Sequence, residues 1–176
     1  LKASPKFTLV EGWQTRNCFI SMNTAYGPFK DKRVRQALNH AVDKTAIISK
    51  IFMGTTPIMD SWLPPTTPGY QKMQPYEYDP AKAKRLLAEA GYSSGFEVTL
   101  HYGKGNILLD TEMVEAVQSY LRAVGITVKI VEMEYAAFST YRSKNVTESP
   151  LQLSLGGNTV GLFLDPVSGM EHLRSD

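Results

Sequence analysis

Residues 31–54, DKRVRQALNHAVDKTAIISKIFMG, predict two consecutive helices that set the local fold. In the first half, apolar residues recur at spacings of three and four, which places them on one helical face. These residues are Val34, Ala37, Leu38, Ala41 and Val42. Asp43 then interrupts the pattern as a predicted N-cap, and Gly54 is a favourable residue for ending the second helix. The apolar stripe of that second helix consists of Ile47, Ile48, Ile51 and Phe52.

Strands and helices alternate through most of the remaining chain. Strands are predicted at 17–22, 96–102, 126–133 and 151–155, and helices at 79–91, 110–124 and 135–144. Strand, helix, strand order with short connections predicts right-handed crossovers and neighbouring parallel strands. The expected architecture is therefore an α/β sandwich. A turn at Gly156 and Gly157 is predicted to end the last strand, and a short helix is expected at 167–173.

Residues 55–79 form a long stretch without helical or strand periodicity. The stretch contains five prolines together with Trp62 and several tyrosines. A loop of this length in a compact domain is typically functional or held down by its own side chains. Trp62 fits both interpretations, because a tryptophan on a loop either stacks on a ligand or packs beneath the loop.

The composition excludes several classes of protein. The chain of 176 residues has the size of one domain, and its 43% hydrophobic and 20% charged residues are ordinary globular values. Its 19 Lys and Arg residues are scattered among 17 Asp and Glu residues, so nucleic acid is not an expected partner. No apolar stretch reaches the length of a membrane span.

No catalytic group, metal site or cofactor is predicted from the motifs. The sequence Gly103-Lys104-Gly105 lacks the third glycine of a dinucleotide fingerprint and the Ser or Thr of a P-loop, so it predicts a flexible turn. Glu132 and Glu134 lie two residues apart near a strand end but have no neighbouring nucleophile, which favours solvated charges. The histidines are His40, His101 and His172, and they lack metal-ligand spacing.

The segment 19–43 resembles a known family. It contains the string V-R-Q-A-L-N at residues 34–39, followed by Ala41 and Asp43, after an Asn-Thr and a Pro-Phe turn. It is similar to the start of the C-terminal lobe in bacterial extracellular solute-binding proteins of family 5. The resemblance continues through Leu-Pro-Pro at 63–65 and Tyr-Asp-Pro at 78–80. It implies a three-layer lobe of the periplasmic binding protein type II, with a mixed, mostly parallel sheet flanked by helices.

The resemblance also implies a domain organisation. Residues 1–176 are expected to be a partial C-terminal lobe of a two-lobe protein, preceded by a signal peptide or by further chain. Residues 1–23 would form the hinge or crossover segment, and residues 24–176 the body of the lobe with the long loop 55–79. The N-terminal lobe of the same protein would be a partner that is absent here.

The function implied by the resemblance is transport. Such receptors bind a small-molecule or peptide ligand outside the cytoplasmic membrane and present it to an ABC permease. They need no cofactor and break no bond. Two alternatives stay open, because fold alone does not fix function. One is a stand-alone interaction module whose loop 55–79 contacts another protein, and the other is an α/β enzyme with an unrecognised site.

Two segments are candidate ligand sites. Trp62 lies on the long loop, and the stretch 156–165 follows a predicted strand at the edge where α/β sheets bind ligands. In the family this stretch lines the cleft, so the candidate ligand-binding residues are Trp62, Gly157, Asn158, Thr159, Gly161 and Leu162.

The stretch departs from the pattern of peptide-binding relatives. These relatives carry an Asp that pairs with the peptide's amino terminus, and here Gly161 or Leu162 occupies that position. Their Trp after the glycine is replaced by Asn158 or Thr159. The expected ligand is therefore one whose free α-amino group is not bound in the usual way.

Overall fold

A computed structural model describes residues 16–65 and 67–159, which form a sheet with helices on both faces. The strands are β1 (Arg16–Met22), β2 (Phe96–Gly103), β3 (Ile126–Met133) and β4 (Leu153–Thr159). The helices are α1 (Lys32–Ala41), α2 (Lys44–Lys50), α3 (Pro80–Glu89), α4 (Asp110–Ala123) and α5 (Tyr135–Arg142), with a short 3₁₀ helix at Gly27–Lys30. The short helix expected at 167–173 lies outside the described residues.

The strand order explains why helices cover both faces of the sheet. The order is β1-β4-β2-β3; β2 runs parallel to β3 and β4, and β4 runs antiparallel to β1. The chain moves to one side from β2 to β3 and then returns past β2 to form β4. Right-handed crossovers in these two directions place α4 and α5 on opposite faces. The predicted α/β class with a mostly parallel sheet is confirmed.

The main core lies on the face covered by α1, α3 and α4. Alternate residues of β2 point into it, and the members of this core include Val34, Leu38, Leu87, Val98, Leu100, Val114, Leu121 and Leu153. The intervening residues of β2 point to the other face, which α5 covers. A Cβ on Gly103 would lie 2.9 Å from the Phe138 ring of α5. The described residues therefore form three layers, with helices on either side of the sheet.

A side-chain cap begins each of the two opening helices, and the predicted N-cap Asp43 is confirmed, but α2 ends at Lys50, before the predicted end at Gly54. The side chain of Asp31 accepts a hydrogen bond from the backbone N–H of Arg33 at 2.7 Å, and Asp43 accepts one from Ala46 at 2.8 Å. Each carboxylate satisfies a donor at a helix start that has no intrahelical partner. The apolar stripe of α2 is only half-buried, because this helix lies at the margin of the core.

β4 corrects the predicted end of the last strand. A turn was expected at Gly156 and Gly157, but the strand continues through Thr159, with Gly156 opposite Phe19 and Gly157 opposite Cys18. A Cβ on Gly156 would lie 2.9 Å from the Phe19 ring. The glycine therefore provides room for a neighbouring side chain in the sheet instead of turning the chain.

Asn23, directly after β1, ties the start of the described chain to its end. Its side-chain Nδ2 donates to the backbone oxygens of Val146 and Leu151, each at 3.0 Å. Its backbone N–H donates to the oxygen of Gln152 at 2.9 Å. These bonds hold the chain leading into β4 against β1 and extend the contact between the two strands.

The loop 55–79 is irregular, as predicted, and is anchored by polar contacts. The hydroxyl of Tyr70 donates to the carboxylate of Asp60 at 2.9 Å, and the side chain of Asn17 donates to the backbone oxygen of Trp62 at 2.9 Å. Leu63 and Thr67, which belong to this loop, are buried. The Asn17 contact fixes the middle of the loop to β1.

A backbone contact between Gly95 and Gly125 aligns the starts of β2 and β3. These glycines precede the two parallel strands, and Phe96 pairs with Ile126 in the register. Both have a positive φ, 74° at Gly95 and 94° at Gly125. A Cβ on Gly95 would overlap the carbonyl oxygen of Gly125. The register of β2 and β3 thus depends on glycine at position 95.

We expect Gly95→Ala to destabilise the fold more than Gly91→Ala. Both positions have a positive φ, 74° and 86°, so both substitutions carry the left-handed backbone penalty of about 1–2 kcal/mol. Among the described residues, nothing lies within 4 Å of a Cβ on Gly91. The overlap at Gly95 should add about 1–3 kcal/mol. Urea unfolding measures both losses, and equal losses would contradict a role for the contact with Gly125.

Candidate functional site

The carboxyl ends of the parallel strands form an open edge of the sheet. Leu100 of β2 is level with Leu153 of β4, so the last residue of β2, Gly103, is level with Gly156. β4 therefore continues through residues 157–159 beyond the end of β2. Because α4 and α5 leave toward opposite faces, this edge is of the kind at which α/β sheets bind ligands.

Trp62 lies against the β1 side of this edge. Its ring centroid is 4.8 Å from that of Phe19, with the planes tilted by 49°. Phe19 is paired with Gly156, and the ring of Phe19 occupies the space above that glycine. Trp62, Phe19 and Gly156 are therefore grouped on one face of the β1–β4 pair.

Position 157 points to the opposite face. A Cβ on Gly157 would lie 3.1 Å from Nε of Arg16 and 3.4 Å from Cδ1 of Ile107. The structure thus brings Trp62 and Gly157 to the same end of β4, but on different sides of it.

The remaining candidate residues follow Gly157 in the sequence. Asn158 and Thr159 end β4 opposite Asn17 and Arg16 of β1. Gly161 and Leu162 lie outside the described residues. A contact of these four residues with a ligand stays a prediction.

The turn between β2 and α4 is held by a polar network. Asp110 is buried, and its carboxylate accepts hydrogen bonds from the backbone N–H groups of Gly105 at 2.7 Å and Thr111 at 2.8 Å. The side chain of Arg16 donates to Oδ1 of Asn106 at 2.8 Å. The predicted turn is confirmed, and these hydrogen bonds join it to α4 and to β1.

Glu132 and Glu134 have separate structural roles. Glu132 is exposed, but its carboxylate contacts Nζ of Lys104 at 2.9 Å and accepts a hydrogen bond from the hydroxyl of Tyr102 at 2.8 Å. The hydrogen bond from Lys104 holds the pKa of Glu132 below its ordinary value, and that from Tyr102 lowers it further. Glu134 caps α5 by accepting from the backbone N–H of Ala136 at 2.8 Å. Neither glutamate is merely a solvated charge.

Arg142 is a site residue that sequence reasoning missed. It lies at the end of α5 and is half-buried, and its Nη2 would be 3.2 Å from a Cβ on Gly156. Its guanidinium carbon is 5.9 Å from the centroid of the Phe138 ring. The sequence feature that could have indicated this approach is the pair Gly156 and Gly157, because glycine within a strand often marks the close approach of another group.

His101 occupies the α5 face of β2 and lies level with Ser154 of β4. It is half-buried, and within the described ranges its buried Nδ1 has no hydrogen-bond partner. Burial lowers the pKa of His101, while a hydrogen bond involving the backbone of Leu153 opposes that shift. The fold therefore favours the neutral imidazole.

The described residues contain neither a metal-binding cluster nor a membrane-spanning helix. No three His, Cys, Asp or Glu side chains among residues 16–65 and 67–159 are grouped to hold a metal ion. None of the helices in that part of the chain has the length and apolar character needed to cross a bilayer.

Comparisons with known proteins agree with this architecture. The family model described as "Bacterial extracellular solute-binding proteins, family 5 Middle" matches residues 1–176. Heme-binding protein A of Haemophilus influenzae is 48% identical over 98 residues, covering 55% of this chain and 18% of that protein. Glutathione-binding protein GsiB of Pectobacterium atrosepticum is 34% identical over 158 residues, covering 89% of this chain and 30% of that protein.

A solved structure of a periplasmic binding protein also matches the fold of this chain. The ABC transporter-associated periplasmic binding protein DppA of Helicobacter pylori, in complex with the peptide STSA, matches with a TM-score of 0.80 and 30% identity. The match covers 89% of this chain and 29% of that one. The chain thus spans less than a third of the length of these relatives.

Stability should fall as the pH drops, and His101 should contribute to the loss. An unfolded histidine has a pKa of about 6.5. Because the folded pKa is lower, the unfolded state binds the proton more readily. The stability due to neutral His101 is complete above the unfolded pKa and decreases as the pH falls toward the folded pKa. Thermal unfolding between pH 7.5 and 5.5, a range chosen around about 6.5, measures this decrease.

The variant His101→Asn provides the comparison, because its side chain does not titrate. We expect its unfolding temperature to depend less on pH than that of the wild type. Parallel curves for the two proteins would contradict a contribution from His101.

Proposed function

This chain belongs to the bacterial extracellular solute-binding proteins of family 5, and from this premise we propose that it is part of the substrate receptor of an ABC importer. The receptor would bind a small solute outside the cytoplasmic membrane and present it to a membrane permease. The chain would form much of one lobe, and the N-terminal lobe of the same protein would complete the binding cleft. No cofactor and no bond cleavage enter this function.

The open carboxyl edge of the sheet is the observation that carries this proposal. β4 extends past β2 there, between helices that leave toward opposite faces. Such an edge provides one wall of a cleft, and a second lobe would provide the other. Closure of the two lobes over the ligand shifts the population toward a form that the transporter recognises.

Trp62, Gly157, Asn158, Thr159, Gly161 and Leu162 are the proposed ligand-contacting residues. The position of Trp62 supports this assignment, because the contact with the Phe19 ring and the hydrogen bond from Asn17 hold its loop beside the end of β4. An aromatic ring held in this way loses little conformational entropy when a ligand stacks on it.

The relatives suggest candidate ligands. Their names specify heme, glutathione and the peptide STSA as ligands of those proteins. The sequence lacks a carboxylate at Gly161 and Leu162, where peptide-binding relatives pair with the amino terminus. Heme, which has no α-ammonium group, is therefore favoured over a standard oligopeptide and over glutathione, which carries one.

We expect the full-length receptor to bind heme in a saturable way and to release it unchanged. Trp62→Ala should weaken this binding about tenfold, because the substitution removes a stacking surface. Tyr76→Ala is a matched control, since Tyr76 is an exposed aromatic of the same loop that contacts His40 instead of Phe19. Isothermal calorimetry gives the affinities, and mass spectrometry identifies the recovered ligand.

Chemical conversion of the bound compound would support the enzyme alternative and contradict the receptor. Equal effects of the two aromatic substitutions would reject Trp62 as a ligand contact.

Dipeptides and tripeptides with free amino termini should bind the same receptor weakly. The physical reason is the absence of an acidic partner for the α-ammonium group at Gly161 or Leu162. Calorimetric titration with Ala-Ala and Ala-Ala-Ala tests this expectation. Micromolar or tighter binding of either peptide would overturn it.

A further inference from the structure

Phe19 of β1 uses space that Gly156 of β4 leaves open. The two residues are paired in the antiparallel ladder. A Cβ on Gly156 would lie 2.9 Å from Cε2 and 3.2 Å from Cζ of the Phe19 ring. The outer edge of this ring therefore lies across the neighbouring strand, in the place that any other side chain at position 156 would fill.

Trp62 is held by β1 at two points. Its backbone oxygen accepts a hydrogen bond from Nδ2 of Asn17 at 2.9 Å, and its ring centroid lies 4.8 Å from that of Phe19. Asn17 and Phe19 are two residues apart on the strand, so their side chains point to the same face. The hydrogen bond fixes the backbone of the loop but does not act on the side-chain torsions of Trp62. The Phe19 ring contacts the indole itself and so restricts these torsions.

We propose that Phe19 is a positioning residue that holds the indole of Trp62 in the orientation that receives the ligand, an inference that rests on the proposed ligand contact at Trp62. An indole already held in place loses little side-chain entropy on binding, so more of the contact energy contributes to affinity. A flat conjugated ligand gains most from this arrangement, because its face packs on an aromatic ring of fixed orientation. Heme belongs to this class of ligand.

Position 156 affects ligand binding from a distance. A side chain there would displace the ring of Phe19, and the indole of Trp62 would lose its support. A Cβ at this position would also lie 3.2 Å from Nη2 of Arg142, so a substitution of the glycine disturbs two neighbours at once. A substitution of Phe19 isolates the contact with Trp62 and is therefore the sharper test.

The test is a double-mutant cycle on the full-length receptor, with heme as the probe and calorimetric titration as the measurement. Phe19→Leu should weaken heme binding about fivefold, the effect expected when one more side chain must be ordered on binding. In a receptor that already carries Trp62→Ala, the same substitution should cause no further loss, because Phe19 then has no indole to hold.

Phe96→Leu is the matched control and should leave the affinity for heme unchanged. Phe96 is also a half-buried phenylalanine of a strand, and it contacts the Tyr92 ring at a centroid distance of 5.1 Å. As the first residue of β2, it lies at the end of the strand opposite to the carboxyl edge. Thermal unfolding shows whether each variant is folded at the temperature of the titration. If Phe19→Leu does not fold, Phe19→Met takes its place, since methionine keeps a long apolar side chain without a flat ring.

Each outcome separates this inference from the proposed function. Equal losses from Phe19→Leu with and without the indole would overturn the inference, because the effect would not pass through Trp62. An equally large loss from Phe96→Leu would overturn it as well, since any weakened strand would then reduce binding. If Trp62→Ala weakens binding but Phe19→Leu does not, the inference fails and the ligand contact at Trp62 stands.

Two further outcomes concern the site and the ligand. If the wild-type receptor binds heme and neither substitution weakens that binding, Trp62 is rejected as a contact together with the inference, while the receptor function stands. A wild-type receptor that binds no heme would overturn the proposed ligand and the inference together.

Discussion

Antiparallel pairing between β1 and β4 joins segments that lie far apart in the sequence, and the arrangement of the open edge depends on it. The pairing extends from Arg16 opposite Thr159 to Met22 opposite Leu153. Asn23 continues the contact with side-chain bonds to the segment before β4. Such distant contacts must offset the entropy lost when a long intervening chain is closed. Here the backbone ladder and the aromatic packing of Phe19 provide the stabilising contacts.

The same pairing places the functional groups. β1 carries Arg16, which faces one side of β4, and Phe19, which faces the other. Asn17, also on β1, holds the backbone of Trp62 and so helps to keep the long loop at the edge. One strand therefore positions a charge, an aromatic ring and a loop at the end of its neighbour. A shift of its register by one residue would exchange the two faces and separate these groups.

Local signals in the sequence predicted much of the fold. The N-cap Asp43 acts within three residues, so its role follows from spacing alone, and it is confirmed. The predicted end of β4 was wrong. Gly156 lies within the strand because it makes room for the ring of Phe19, a residue that is distant in sequence. Arg142 was missed for the same reason. Its helix was predicted, but its approach to β4 depends on the crossover that brings α5 over the sheet.

The contact of Gly95 with Gly125 has an evolutionary consequence. Crowding between side chains is commonly relieved by a smaller residue at the partner position. Here the obstructing atom belongs to a peptide group, and the partner already has no side chain to shorten. A substitution at position 95 thus has no compensating replacement at position 125. The pair should remain invariant without covarying, so methods that infer contacts from correlated substitutions would overlook it.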